Sequence, residues 1–109
     1  MDRLEALMTA TLRERADQDV VWWQDSWLKG YDLLRWIDQD REALKAAGFQ
    51  EGQRLMTLLP NCPALLCLAV AVWSLKGTLI PLNMRAGTDN LLPTIDLVQP
   101  FAVIIGRGL

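Results

Sequence analysis

Cys62 and Cys67 are the two thiols of a 109-residue chain that has no histidine. Thiols can serve as nucleophiles, redox partners or metal ligands. Five positions apart, these two match neither a CxxC redox pair nor a zinc pattern. On a helix they would point to different faces, so both are read as small buried hydrophobes. Without histidine, imidazole acid–base chemistry and histidine metal sites are excluded. Trp22, Trp23 and Trp27 could line an aromatic cage for a ligand. On a hairpin packed against helices, however, core and edge packing is the better reading. A phosphate cradle needs a glycine cluster between a strand and a helix. No strand here leads into one, and the terminal Gly106-Arg107-Gly108-Leu109 is short and carries no lysine or hydroxyl residue. No catalytic, cofactor-binding or metal-ligating residue is assigned.

The elements that would hold any site are clearer. Ala64–Val72 is an unbroken apolar run, extended by Trp73, Ser74 and Leu75. A membrane span needs roughly 20 apolar residues, and this run has the length of a buried core helix. Pro63 suits a first helical turn, Asn61 is placed to cap it, and Gly77 is placed to stop it. The pattern predicts a helix over 62–76 that is apolar nearly all round and buried on most sides. No transmembrane segment is expected.

Its flanks, Arg54–Pro60 and Gly77–Asn83, are short apolar runs without strict alternation, as in strands covered on both faces. Strand, helix and strand make a βαβ unit, with parallel strands and a right-handed crossover. Thr88–Pro100 predicts a short helix, capped by Thr88 and loosened by Pro93; Phe101–Gly106 predicts a third strand. The expected fold class is α/β: layered, with a small, mainly parallel sheet (strands about 54–59, 77–82 and 101–105) flanked by helices.

Upstream, the segment from Tyr31 to Gly48 predicts an amphipathic helix with Leu33, Trp36, Ile37, Leu44 and Ala47 on one stripe. Asp38, Arg41, Glu42 and Lys45 fall off it or at its edge, and Asp40 is expected at a wet rim. Gly30 is expected near the N-cap, Asp32 favours the first turn, and Gly48 closes the helix. Val20–Trp23 and Trp27–Lys29 form a hairpin across Gln24, Asp25 and Ser26. Leu4, Leu7, Met8 and Leu12 share one face of a first helix. No linker or repeat divides the chain, so residues 1–109 are expected to be a single subdomain.

Net charge is −2, with both signs mixed along the chain, which argues against a nucleic-acid footprint. Charges interrupt the apolar positions of the N-terminus, so it is no secretory signal. Nothing points to an oxidising compartment, and the expected setting is cytoplasmic.

In this order the segments resemble the N-terminal part of the adenylate-forming synthetases: acyl-CoA synthetases, adenylation domains of peptide synthetases, and luciferases. Gly30-Tyr31-Asp32-Leu33-Leu34 is similar to the Thr-Tyr-x-x-Leu that opens the family's long helix. Ala47–Leu55 with Leu59-Pro60-Asn61-Cys62-Pro63 is similar to AxxGxxxGDRVxxxLPNxPE. Gly77-Thr78-Leu79-Ile80-Pro81-Leu82-Asn83-Met84-Arg85 is similar to GAxxxPLNPR. Gly30, Gln53 and Met84 depart from the usual threonine, aspartate and proline, and Leu91-Leu92-Pro93 stands where a Glu-Leu pair is usual. These departures touch caps and turns.

The resemblance implies a partial version of a larger domain. Family members use ATP and magnesium to turn a carboxylic acid into an acyl-adenylate and pyrophosphate. Most then pass the acyl group to coenzyme A or a carrier thiol. The phosphate loop, the magnesium and ribose ligands and the mobile lysine all lie beyond the matched region. This chain is therefore expected to bind no cofactor itself, and to be an inactive structural part of an acid–thiol ligase. The alternative is a stand-alone, non-catalytic binding or assembly module on the same fold. A nucleotide-binding domain in its own right is disfavoured by the missing glycine cluster. An open sheet edge and an uncovered apolar face imply pairing with the rest of a synthetase domain, or self-association into a homo-oligomer.

Overall fold

The structure is a computed structural model that describes residues 2–82 and 91–106. The elements run α1 (Asp2–Glu14), β1 (Asp19–Trp23), β2 (Ser26–Lys29), α2 (Gly30–Ala46), β3 (Arg54–Leu58), α3 (Pro63–Ser74), β4 (Thr78–Pro81), α4 (Leu91–Val98) and β5 (Ala102–Ile105). This is the expected α/β layering. A three-stranded sheet has the order β4-β3-β5, parallel throughout, and β1 and β2 make a separate antiparallel hairpin.

β3 is the central strand, and Leu55, Met56 and Thr57 are fully buried. Leu55 stands beside Leu79 and Ala102 in the register, and Met56 beside Ile80 and Val103, so alternate residues line opposite faces. The Leu55 face joins α2 and α3 in the main core. The chain steps from β3 to β4, then back across β3 to β5. Right-handed crossovers therefore put α3 and α4 on opposite faces. Half-buried Leu91, Ile95 and Val98 recur at helical spacing along α4.

α3 is buried along Cys67, Leu68, Ala69, Val70, Ala71 and Val72, as its all-round apolar composition requires. Packed on it is α2, through Leu33, Ile37 and Leu44. Arg41 bolts the two together. Its Nε donates to Ser74 Oγ at 2.9 Å, and its Nη1 pairs with Asp38 at 2.9 Å.

Several element ends differ from expectation. Strands expected over 54–59, 77–82 and 101–105 occupy Arg54–Leu58, Thr78–Pro81 and Ala102–Ile105. The helix expected over 62–76 runs from Pro63 to Ser74, and its N-cap is Cys62 rather than Asn61. The cause is Pro63, which disfavours a helical residue before it; Cys62 is accordingly extended, at φ −154° and ψ 163°. At the other end the left-handed residue is Lys76, at φ 60°, rather than Gly77. Lys76 N–H donates to Trp73 O and Gly77 N–H to Val72 O, both at 3.0 Å, which closes a Schellman motif. Residue 77 is glycine for space: a Cβ there would lie 2.4 Å from the Phe49 ring.

α2 ends in the same motif. Gly48, at φ 94°, donates to Lys45 O, and Phe49 N–H donates to Leu44 O. This inserts Phe49 into the core at the end of the helix, so Ala47, expected on the buried stripe, is exposed. At its start Lys29 is the N-cap, and its N–H donates to the Asp32 carboxylate at 2.9 Å. Gly30 follows as the first helical residue. In the hairpin, Gln24 and Asp25 alone form the turn, both at positive φ, and Ser26 pairs with Trp23. A two-residue turn with both residues at positive φ matches the strand twist, which the ordinary turn types would splay. Thr88, expected as a helix cap, lies outside the described residues, as do Asn83, Met84, Arg85 and residues 107–109.

Thr57 poses a test of this packing. Its Oγ1 is buried without a hydrogen-bond partner. Thr57→Val keeps the shape and removes an unmet polar group, so it is expected to be neutral or to stabilise by about 1 kcal/mol. Urea unfolding measures this; a loss of similar size would mean that the hydroxyl does have a partner.

Candidate functional site

An apolar cleft of about 290 Å³ lies between α1, β1, α2 and α3. Its floor is the core itself: Leu12, Leu33, Ile37, Cys67 and Val70. Leu7, 64 % exposed, and Leu66, 40 % exposed, stand at its rim. A bulge between Asp19 and Val21 brings both Val20 and Val21 to the lining. Of the face expected on the first helix, only Leu12 is buried and Met8 half-buried; Leu4 and Leu7 are largely exposed. The cleft offers shape and hydrophobic contact, with the Thr11 hydroxyl and the Cys67 thiol as its polar side-chain groups.

Cys67 is buried, as expected, and its Sγ lies 3.6 Å from Leu33 O, an S–H donor geometry. Burial pushes its thiol up to about 12, helped by the charges of Asp40 and Cys62. A thiol this hard to ionise is inert as a nucleophile. Cys62 is half-buried at the helix start. Asp40 is half-buried rather than fully wet, and burial raises its carboxyl above the ordinary value. Among the described residues, no cluster of three His, Cys, Asp or Glu side chains could hold a metal ion.

The raised thiol has a consequence at alkaline pH. Folded Cys67 keeps its proton up to about 12, whereas the unfolded chain loses it near the ordinary value of 9.0. Its contribution to stability is whole below pH 9 and is lost as pH rises from 9 towards 12. The slope is at most about 1.4 kcal/mol per pH unit. Cys67→Ala is expected to lack this slope. Thermal unfolding of both proteins between about pH 8 and pH 10.5 measures it; parallel curves would contradict the burial of the thiol.

The tryptophans build no cage. Trp22 and Trp27 face each other across the hairpin, edge to face at 5.4 Å, and both are more than half exposed. Trp23 is half-buried. The pair packs on itself at the hairpin's outer face, a cross-strand contact that favours pairing.

The geometry gives an architecture, and its relatives say which one. The sequence profile of the family described as AMP-binding enzyme matches residues 8–108. The chain belongs to the AMP-binding enzyme family. No curated protein matches it. Solved structures show the same fold at low identity. One is the anthranilate CoA ligase AuaEII in complex with anthranoyl-AMP, with a TM-score of 0.86 and 14 % identity, over 94 % of this chain and 20 % of that one. Another is a benzoate CoA ligase from Burkholderia xenovorans LB400, with a TM-score of 0.85 and 14 % identity, over 93 % and 21 %. A third is a Mycobacterium tuberculosis fatty acyl CoA synthetase, with a TM-score of 0.79 and 21 % identity, over 92 % and 21 %.

This AMP-binding family chain therefore spans about a fifth of the length of those solved proteins. The cleft was not anticipated from sequence. Its one signal was a surplus of apolar side chains on α1, where Leu4, Leu7 and Met8 exceed what a helix end needs. Among the described residues, no helix is long and apolar enough to cross a membrane.

Proposed function

We propose that this chain is the N-terminal structural part of an ATP-dependent ligase that activates a carboxylic acid as an acyl-adenylate and transfers it to a thiol. Family membership supports the ligase class. The proteins of like fold include ligases of anthranilate, benzoate and fatty acids. The observation that carries the structural role is the lopsided coverage: 94 % of this chain against 20 % of the anthranilate ligase. In this reading residues 1–109 form one subdomain that supplies sheet and wall. ATP, magnesium and the acceptor thiol belong to the whole enzyme, working in the cytoplasm, and no residue of this chain is assigned to them.

The expected result is that the pure 109-residue chain shows no ATP–pyrophosphate exchange with aryl or fatty carboxylic acids. Exchange above the rate of a heat-denatured sample would sink the reading. Calorimetric titration of the chain with ATP and with coenzyme A is expected to give no heat of binding. Tight binding would turn the assignment towards a nucleotide-binding module.

A further inference from the structure

We draw no further inference here: the strongest candidate, the apolar cleft between α1, β1, α2 and α3 with Leu7 and Leu66 exposed at its rim, carries nothing, because nothing in the structure shows what covers it.

Discussion

Val72→Asp is expected to leave the chain unfolded at 25 °C. Val72 is fully buried in α3, and its Cγ1 is 3.1 Å from where a Cβ on Gly77 would sit, beside the Phe49 ring. A carboxylate at this point would be shut away from solvent. Burying an unpaired charge costs several kcal/mol. A domain of 109 residues holds only about 5–16 kcal/mol in total, and α3 is shared by the sheet and by α2. Val72→Ala, which only opens a cavity, is expected to cost about 2 kcal/mol and stay folded. Circular dichroism with thermal melting separates the two. A cooperative melt for Val72→Asp within a few degrees of the wild type would mean that α3 is not buried between the layers.

Gly30→Ala carries the second large effect. A Cβ at residue 30 would lie 2.5 Å from Arg15 O and 2.6 Å from Leu12 O. Both are backbone atoms of α1 and the turn after it, so no side chain can swing away. The same junction is held by Gly30 N–H donating to Gln18 O and Tyr31 N–H donating to Ala16 O. Relieving the overlap means moving α1 and breaking these bonds, at about 3 kcal/mol, or a Tm fall on the order of 15 °C. Gly48→Ala is the contrast. Nothing lies within 4 Å of a Cβ there, and the cost is the left-handed φ of 94°, about 1 kcal/mol. Equal losses at the two sites would argue against a close helix contact at Gly30.

The glycine at position 30, where the resembled family usually has threonine, becomes intelligible from this contact. With glycine, the end of α1 sits where a side chain would otherwise begin. Such a substitution looks like a cap change in sequence, because a cap is the local role of that position. The contact is between segments that only the tertiary fold brings together.

Legibility followed the range of the interactions. α3 was readable because Ala64–Val72 has no polar residue, and a helix with no polar side must be enclosed. The three strands were readable because each is a short apolar run beside proline or glycine. The swaps of one residue, Cys62 for Asn61 and Lys76 for Gly77, arose where two signals competed. At residue 62 the steric demand of Pro63 outweighed the better capping chemistry of asparagine. At residue 77 glycine answered to the Phe49 ring rather than to its own backbone. The cleft was the least legible feature. Four elements build it, none sequential with all the others, and apart from Thr11 and Cys67 its lining is apolar. A site carrying chemistry would have announced itself by residue type; an apolar hollow does not.

Both ends of the sheet are tied by backbone bonds, Leu82 N–H to Thr57 O and Gly106 N–H to Leu58 O at the end after the strands, but the end before them is tied by its loops as well. Before β3 and β4, the loops are stitched crosswise: Gly52 N–H donates to Lys76 O, and Thr78 N–H to Gln53 O, both at 3.0 Å. Phe101 N–H donates to Arg54 O, and the Phe49 and Phe101 rings meet edge to face at 5.3 Å, which ties β5 to the same end. Grafting extra residues into that end would tear several seams at once. The opposite end, after Leu58 and Pro81, is the carboxyl end of the strands, where open α/β sheets place their binding crevices. Lengthening the chain there leaves the stitching untouched, so descendants of this scaffold are free to diverge at one pole while the other stays as it is.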